Sequence, residues 1–277
     1  ITNMTARRLY METQYDFDDI VNRRNTNCGR WDTMDKKYKI MNRDQIKYLA
    51  IILMTFNHIA HILLPSGTVI YEVFEDMGYF TSITMCYFMV EGYFYTHSRK
   101  DYAKRLLIFA FIAEIPFVLA MGYFQLDVMF TFFLCLCILA VLDSKLNKAL
   151  KILSVLVLTI LSVFCDCALI LPIAAILFRY SRGNRKKQIG AWAMMCFIFF
   201  VLNIPGYAPD DAVYPFLSGY ALLHSFYAII AWIVAAIVIL VFYNGKKSQK
   251  HVVLNKWLFY IYYPLHLLVL WGIHFFL

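Results

Sequence analysis

Charge is what this chain has least of. Asp, Glu, Lys and Arg make up 16% of its 277 residues, where soluble domains carry about 25%. With 61% hydrophobic and 18% aromatic residues and a mean hydropathy of +0.61, the composition lies outside the soluble globular range. No Walker loop or dinucleotide fingerprint occurs, which removes the usual nucleotide-binding classes. No internal repeat occurs either, and a transporter built on paired broken helices would need one. Residues 1–40 lack a basic stretch, an apolar run and a small-residue cleavage site in that order, so they do not read as a signal peptide. The net charge of +8 does not imply nucleic acid, because the cations fall in short clusters between apolar runs rather than on one face. Cys135 and Cys137, like Cys165 and Cys167, stand two apart, which turns helical thiols to nearly opposite sides and makes poor chelates or disulfides. The cysteines read as small hydrophobes, and no metal site is expected.

What the chain has in abundance is apolar runs of spanning length. Allowing about 20 residues per span, helices are expected near 46–64, 78–96, 103–122, 126–142, 149–164, 168–180, 188–204, 218–242 and 256–275. The fold class is therefore an all-α polytopic membrane protein with nine transmembrane helices. A tight turn at Cys165-Asp166-Cys167 separates the fifth and sixth; one bent helix there would leave eight. Charge favours nine. Every Lys and Arg from residue 39 onward then falls on one side of the bilayer, while the opposite loops hold only acids: Glu72, Glu75, Asp76, Asp166, Asp210 and Asp211. The basic side is cytoplasmic by the positive-inside rule, which puts the N-terminus inside and the C-terminus outside.

The stretch from Tyr48 to Pro65, YLAIILMTFNHIAHILLP, carries Asn57, His58 and His61 where a lipid-facing helix would hold only hydrocarbon. An ionisable group at such depth marks a site or a pathway. At 1.5 Å per residue His58 lies roughly 18 Å from the inner end of its helix, His266 roughly 15 Å from Lys256, Glu114 roughly 13 Å from Arg105, and Glu91 roughly 8 Å in. These depths allow the four groups to share one inward-facing cavity. Thr84, Tyr87, Glu91 and Tyr95 form a polar stripe at helical spacing, and Pro116 frees the carbonyl of Ile112 beside Glu114. Lys256, Tyr263 and His266 line one face of the last helix. Arg99, Lys104 and Arg105 stand where a cytoplasmic mouth should be, and guanidinium groups suit phosphates.

In order along the chain, MTFNHIAHILLP, EGYFYTHSRKDYAKRLLIFAFIAEIPF, VMFTFFLCLCILAVLD, CDCALILPIAAILFRYSRGNRKK, FYNGKKSQK and KWLFYIYYPLHLLVL resemble the TraX family of integral-membrane acyltransferases, from about Met41 to the C-terminus. The resemblance implies a multi-pass protein of the cytoplasmic membrane that moves an acetyl group from cytosolic acetyl-CoA to an acceptor. That acceptor is a pilin-like N-terminal amine, for which the family is named, or a cell-envelope glycan; the remaining partner is the lipid bilayer. His58 is the expected general base, and Asn57 or a tyrosine hydroxyl the expected donor to the oxyanion. Glu91 and Glu114 orient partners, and His266 is either a second proton carrier or the partner of Glu114. Arg99, Lys104, Arg105 and Tyr95 are expected to hold the coenzyme. Family members usually carry Asp-His where this chain has Asn57-His58, which leaves an inactive family member as one alternative; ionisable residues at mid-membrane would also suit a solute transporter, the other. Tyr15 to Tyr38, YDFDDIVNRRNTNCGRWDTMDKKY, resembles instead the N-terminus of MalY/PatB-type pyridoxal-phosphate C–S lyases. Residues 1–40 are accordingly expected to be a remnant or mis-joined extension without its own fold, with Met34 or Met41 as the true start, ahead of a transmembrane domain over 41–277.

Overall fold

The computed structural model describes residues 38–207 and 218–276. Two compact units divide the chain, residues 1–40 and 41–277. The lyase-like stretch and the acids Asp210 and Asp211 lie outside the described residues, apart from Tyr38.

Nine α-helices make up the described part of this unit: α1 (Arg43–Leu63), α2 (Val69–Tyr95), α3 (Arg99–Met121), α4 (Val128–Asp143), α5 (Lys148–Leu161), α6 (Ile170–Ser181), α7 (Arg185–Asn203), α8 (Gly219–Ile237) and α9 (Val252–Phe276). Their starts are written into the sequence. Asn42 caps α1 in a reciprocal box, its Oδ1 accepting from the backbone N–H of Asp44 and Gln45 while Gln45 Oε1 accepts from Asn42 N–H. Thr68, Ser98, Asp127, Asn147, Asn184 and Ser218 cap α2 to α5, α7 and α8, except that no such cap precedes α6. Each such side chain satisfies backbone donors that the helix itself leaves open.

Four of these segments are long and apolar enough to cross a membrane: Arg43–Leu63, Arg185–Tyr207, Gly219–Phe242 and Val253–Phe276. The outward faces match that environment, with Phe111, Ile115, Ile152 and Phe197 exposed, as fits a lipid bilayer rather than water. Between helices the contacts are tight: Trp192 and Trp232 are fully buried, and Phe199 stacks on Trp232 at 4.0 Å. Because lipid is as apolar as leucine, this close packing and the polar bridges between helices hold the bundle together, rather than any exclusion of water.

Two boundaries bear on the site. α2 begins at Val69, nine residues before the start the apolar run predicts. Glu72, Glu75 and Asp76 thus lie on its first turns rather than in a loop, where acids favour a helix N-terminus. The break expected at Cys165-Asp166-Cys167 is present: α5 ends at Leu161, Ser162–Phe164 forms a 3-10 turn, Cys165 bridges to Leu126, and Cys167 and Leu169 have φ of 55° and 59°. At the end of α8 the chain widens into a π-turn over Val238–Phe242, which delivers Tyr243 into the bundle.

The ends of the bundle differ in charge. One gathers the start of α1, the ends of α2, α4, α6 and α8, and the start of α9; there Arg99 and Arg179 both grip Asp143, at 2.8 and 2.6 Å. At the other end, Glu72 meets His224 at 3.3 Å and Glu75 meets His61 at 3.8 Å. Among the described residues no Lys or Arg from 43 onward belongs to that second, acidic end.

Candidate functional site

α1 and α9 each bring a histidine to the same depth. His58 and His266 are 7% and 6% exposed, and His58 Nδ1 lies 2.9 Å from His266 Nε2. The other ring nitrogen of His266, Nδ1, lies 2.9 Å from the carbonyl oxygen of Tyr262, one turn earlier. A carbonyl only accepts, so His266 Nδ1 carries a proton; in the neutral pair His266 Nε2 then accepts and His58 Nδ1 donates. The partners therefore leave the lone pair of His58 Nε2 uncommitted. The Tyr262 ring stacks on His266 at 5.0 Å, and its hydroxyl lies 2.8 Å from Thr55 Oγ1, which in turn donates to the Ile51 carbonyl. This chain of contacts fixes both rings across the α1–α9 seam.

His58 forms part of the wall of a cavity of about 270 Å³ toward the acidic end, beside Asn57, His61, Glu75, Ser82, Asp166 and Tyr263 and against Met54, Met85, Phe117 and Phe259. The cavity owes its shape to close helix contact. Asn57 Nδ2 donates to the Glu75 carbonyl at 2.9 Å, and a Cβ on Gly78 would stand 2.2 Å from Asn57 Cβ, so only glycine lets α2 approach this near. His61 Nδ1 lies 3.0 Å from the Tyr71 hydroxyl. Burial pushes the Asp166 carboxyl up from its ordinary value, against the opposing hydrogen bond from Cys167 N–H. Tyr263 is buried, and its hydroxyl has no hydrogen-bond partner among the described residues.

A second cavity, about 370 Å³, lies at the basic end. Arg43 and Lys47 of α1, Arg105 of α3, Lys247 of the loop after α8 and Lys256 of α9 contribute five cations to its lining, and Asp44 contributes the one carboxylate. The loop is pinned over it: Arg43 N–H donates to the Lys246 carbonyl, Asn244 N–H to the Met41 carbonyl, and Ser248 N–H to Asp44 Oδ2. Nε of Arg43 and of Arg105 are buried without a hydrogen-bond partner among the described residues. Burial, and after it the neighbouring Arg43, hold the Lys247 ammonium below its ordinary pKa. Crowded cations with unfilled donors are the chemistry of an anion site.

The sequence-predicted residues divide between these two places. His58 and Asn57 line the first cavity, with His266 bonded to His58 behind it; Arg105 and Tyr95 line the second. Lys104 is exposed, and Arg99 is committed to Asp143 and lies over the Tyr93 ring at 4.2 Å. Glu91 accepts from the Tyr243 hydroxyl at 2.8 Å, and Glu114 accepts from the Asp127 backbone N–H at 3.0 Å. Neither glutamate lines the His58 cavity, and His266 serves His58 rather than Glu114. The single inward-facing cavity expected from depth alone is thus replaced by two, because depth along a helix leaves the direction around its axis open, at 100° per residue. Asp166 and Gly78 at the first cavity carry no site role in the sequence pattern, which places Tyr263 only on the face of α9 that bears His266. At the second, Arg43, Lys47 and Lys247 belong to clusters that topology alone explains and that also suit a ligand phosphate; the four-residue spacing of Arg43 and Lys47 on one helix face favours the latter.

No solved structure matches the chain. The chain is 27% identical over 241 residues to a probable fimbrial assembly protein FimC, serogroup H1, from Dichelobacter nodosus, covering 82% of this chain and 93% of that protein. The model of the TraX protein family matches residues 42–274, a range that excludes the lyase-like stretch and takes in both cavities, and the chain belongs to that family.

Proposed function

We propose that the protein is a membrane-embedded acetyltransferase. It takes acetyl-CoA at the basic end, which faces the cytoplasm in a nine-span topology, and an acceptor amine at the acidic end. The observation that carries this reading is the lone pair of His58 Nε2, freed by His266 and Tyr262, on a residue of a cavity wall. In the reaction His58 Nε2 takes a proton from the acceptor amine as its nitrogen attacks the thioester carbon. The carbon becomes tetrahedral and its oxygen anionic; collapse then expels the coenzyme thiolate, which recovers the proton from His58. An imidazole suits both transfers because its ordinary pKa lies near neutrality. His266 accepts the hydrogen bond from His58 Nδ1 throughout, holding the productive tautomer.

Tyr263 is the better oxyanion donor. Its hydroxyl is unpartnered, whereas Asn57 Nδ2 is committed to the Glu75 carbonyl. Asn57 thus ties α1 to α2, and the tautomer of His58 depends on His266 instead; the asparagine where the family pattern has aspartate does not remove the base. Five cations around the basic cavity suit the coenzyme's phosphates, and Glu72, Glu75 and Asp76 near the other cavity suit an acceptor that arrives as an ammonium and gives one proton to water at that face before it attacks as the neutral amine. The fimbrial assembly name of the relative points to a pilin-like peptide as the source of that amine. The test is transfer of label from acetyl-CoA to components of a membrane extract by purified protein. His58→Ala should abolish it; transfer at the wild-type rate would remove His58 as the base.

A further inference from the structure

The linings of the two cavities approach each other along the seam of α1 and α9. Between them lies a void of about 10 Å³, room for one water, in the seam of α1 and α9. It shares Asp44, Lys47 and Asn255 with the basic cavity and Phe259 with the His58 cavity. The seam has two parallel rails. From Lys47 to His58 on α1 is eleven residues, as is Asn255 to His266 on α9, so each rail measures about 16 Å. Along it the wall changes from cationic at Lys47 to apolar at Ile51, Leu258 and Phe259. Phe259 is the side chain common to the void and the upper cavity, and it lies nearly parallel to the Tyr263 ring at 6.1 Å and 17°. One turn of helix further on, Pro264 has no N–H to give the Tyr260 carbonyl, which loosens α9 directly after Phe259.

We propose that this seam is the binding site for a linear, uncharged thioester arm about 16 Å long that hangs from a phosphate-bearing head in the basic cavity, and that Phe259 is the gate it must displace to reach His58. The proposal rests on the acyl-donor reading given above. The head matches the cations below and the arm matches the apolar wall. The reacting carbonyl would arrive beside the free nitrogen of His58 while the acceptor enters from the opposite cavity, so the two substrates never compete for one mouth. A swing of the Phe259 side chain about χ1, with release of the hydrogen bond from the Tyr48 hydroxyl to Asn255 Oδ1 that crosses the seam beside the void, opens the passage.

The test uses the full chain in detergent with Ile51→Cys as a reporter in the void, read by mass spectrometry of the labelled peptide. Binding of coenzyme A and of ADP, a phosphate head without the arm, is measured on the same preparation. Coenzyme A is expected to slow modification of the introduced thiol at least fivefold, and ADP at saturation to leave it within twofold. Equal protection by both, or binding of coenzyme A without protection, overturns the seam while leaving the acyl-donor reading intact. No binding of coenzyme A overturns both. Phe259→Trp supplies a second measurement: acetyl turnover is expected to fall at least tenfold with coenzyme A affinity kept within threefold, and unchanged turnover overturns the gate.

Discussion

Removing His266 tests the tautomer argument most directly. In His266→Ala the His58 ring loses its imidazole partner and is left with the Met54 backbone, one turn earlier, in a site where His58 is 7% exposed. The full cost of an unsatisfied buried donor, about 1–3 kcal/mol, is then the upper bound on what holds the proton on Nδ1 and the lone pair on Nε2. Taking about 2 kcal/mol, with 1.36 kcal/mol per factor of ten, the rate of acetyl transfer should fall roughly thirtyfold. The loss belongs in kcat, because the coenzyme's head sits at the other cavity and its KM should stay within about twofold. His266→Gln can place its Oε1 near the lost Nε2 and accept from His58 again, so it should recover a large part of the rate. The assay is initial-rate transfer of labelled acetyl for the three proteins, with folding checked by thermal unfolding in detergent. A glutamine variant no faster than the alanine variant, at equal stability, would refute the reasoning, as would an alanine variant at the wild-type rate.

Arg43→Ala and Arg105→Ala should each raise the KM for acetyl-CoA about tenfold or more, the worth of one charged hydrogen bond, whereas Arg99→Ala should leave it unchanged because that guanidinium is spent on Asp143; steady-state kinetics separates them. Binding of coenzyme A should weaken on the alkaline side at a pH below the ordinary lysine value of 10.5, because Lys247, held low by burial and Arg43, loses the charge the anion needs sooner than a free lysine would. In Lys247→Arg that limb should shrink in a binding titration across pH, since guanidinium stays charged while Lys47 in the same lining is still a lysine. Gly78→Ala should lower the unfolding midpoint, at a cost of about 1–3 kcal/mol or more, since its Cβ would meet Asn57 Cβ at 2.2 Å. Adding Asn57→Gly should return part of that loss, and an unchanged midpoint in the single variant would show that α1 and α2 have room to spare.

Helix number, the break at Cys165-Asp166-Cys167 and the segregation of cations were legible in the sequence because each is a property of order along the chain: apolar length, turn chemistry, sign of charge. The start of α2 was not, since Glu72, Glu75 and Asp76 lower the hydropathy of a segment that is helical on the strength of its Thr68 cap and N-terminal acids. His58 and His266 were legible as buried imidazoles at similar depth. Their bond was not, because whether two side chains meet depends on the direction each faces around its axis and on which helices are neighbours. The same limit hid Glu91 behind Tyr243 and Glu114 beside Asp127: hydropathy shows that such groups need partners, and a partner can be a remote hydroxyl or a backbone N–H with no motif of its own.

The thin partition at Phe259 has an electrical consequence. Under the proposed function the two cavities enter from opposite faces of the bilayer, and their linings come within one or two helical turns of each other, at Asn255 and Phe259 of α9 and at Lys47 and Met54 of α1; the membrane voltage would then drop steeply over that short distance instead of evenly across the bilayer. A single elementary charge carried over the whole drop gains or loses about 2.3 kcal/mol per 100 mV, and at Phe259 most of that drop is compressed into the width of one aromatic ring and its neighbours.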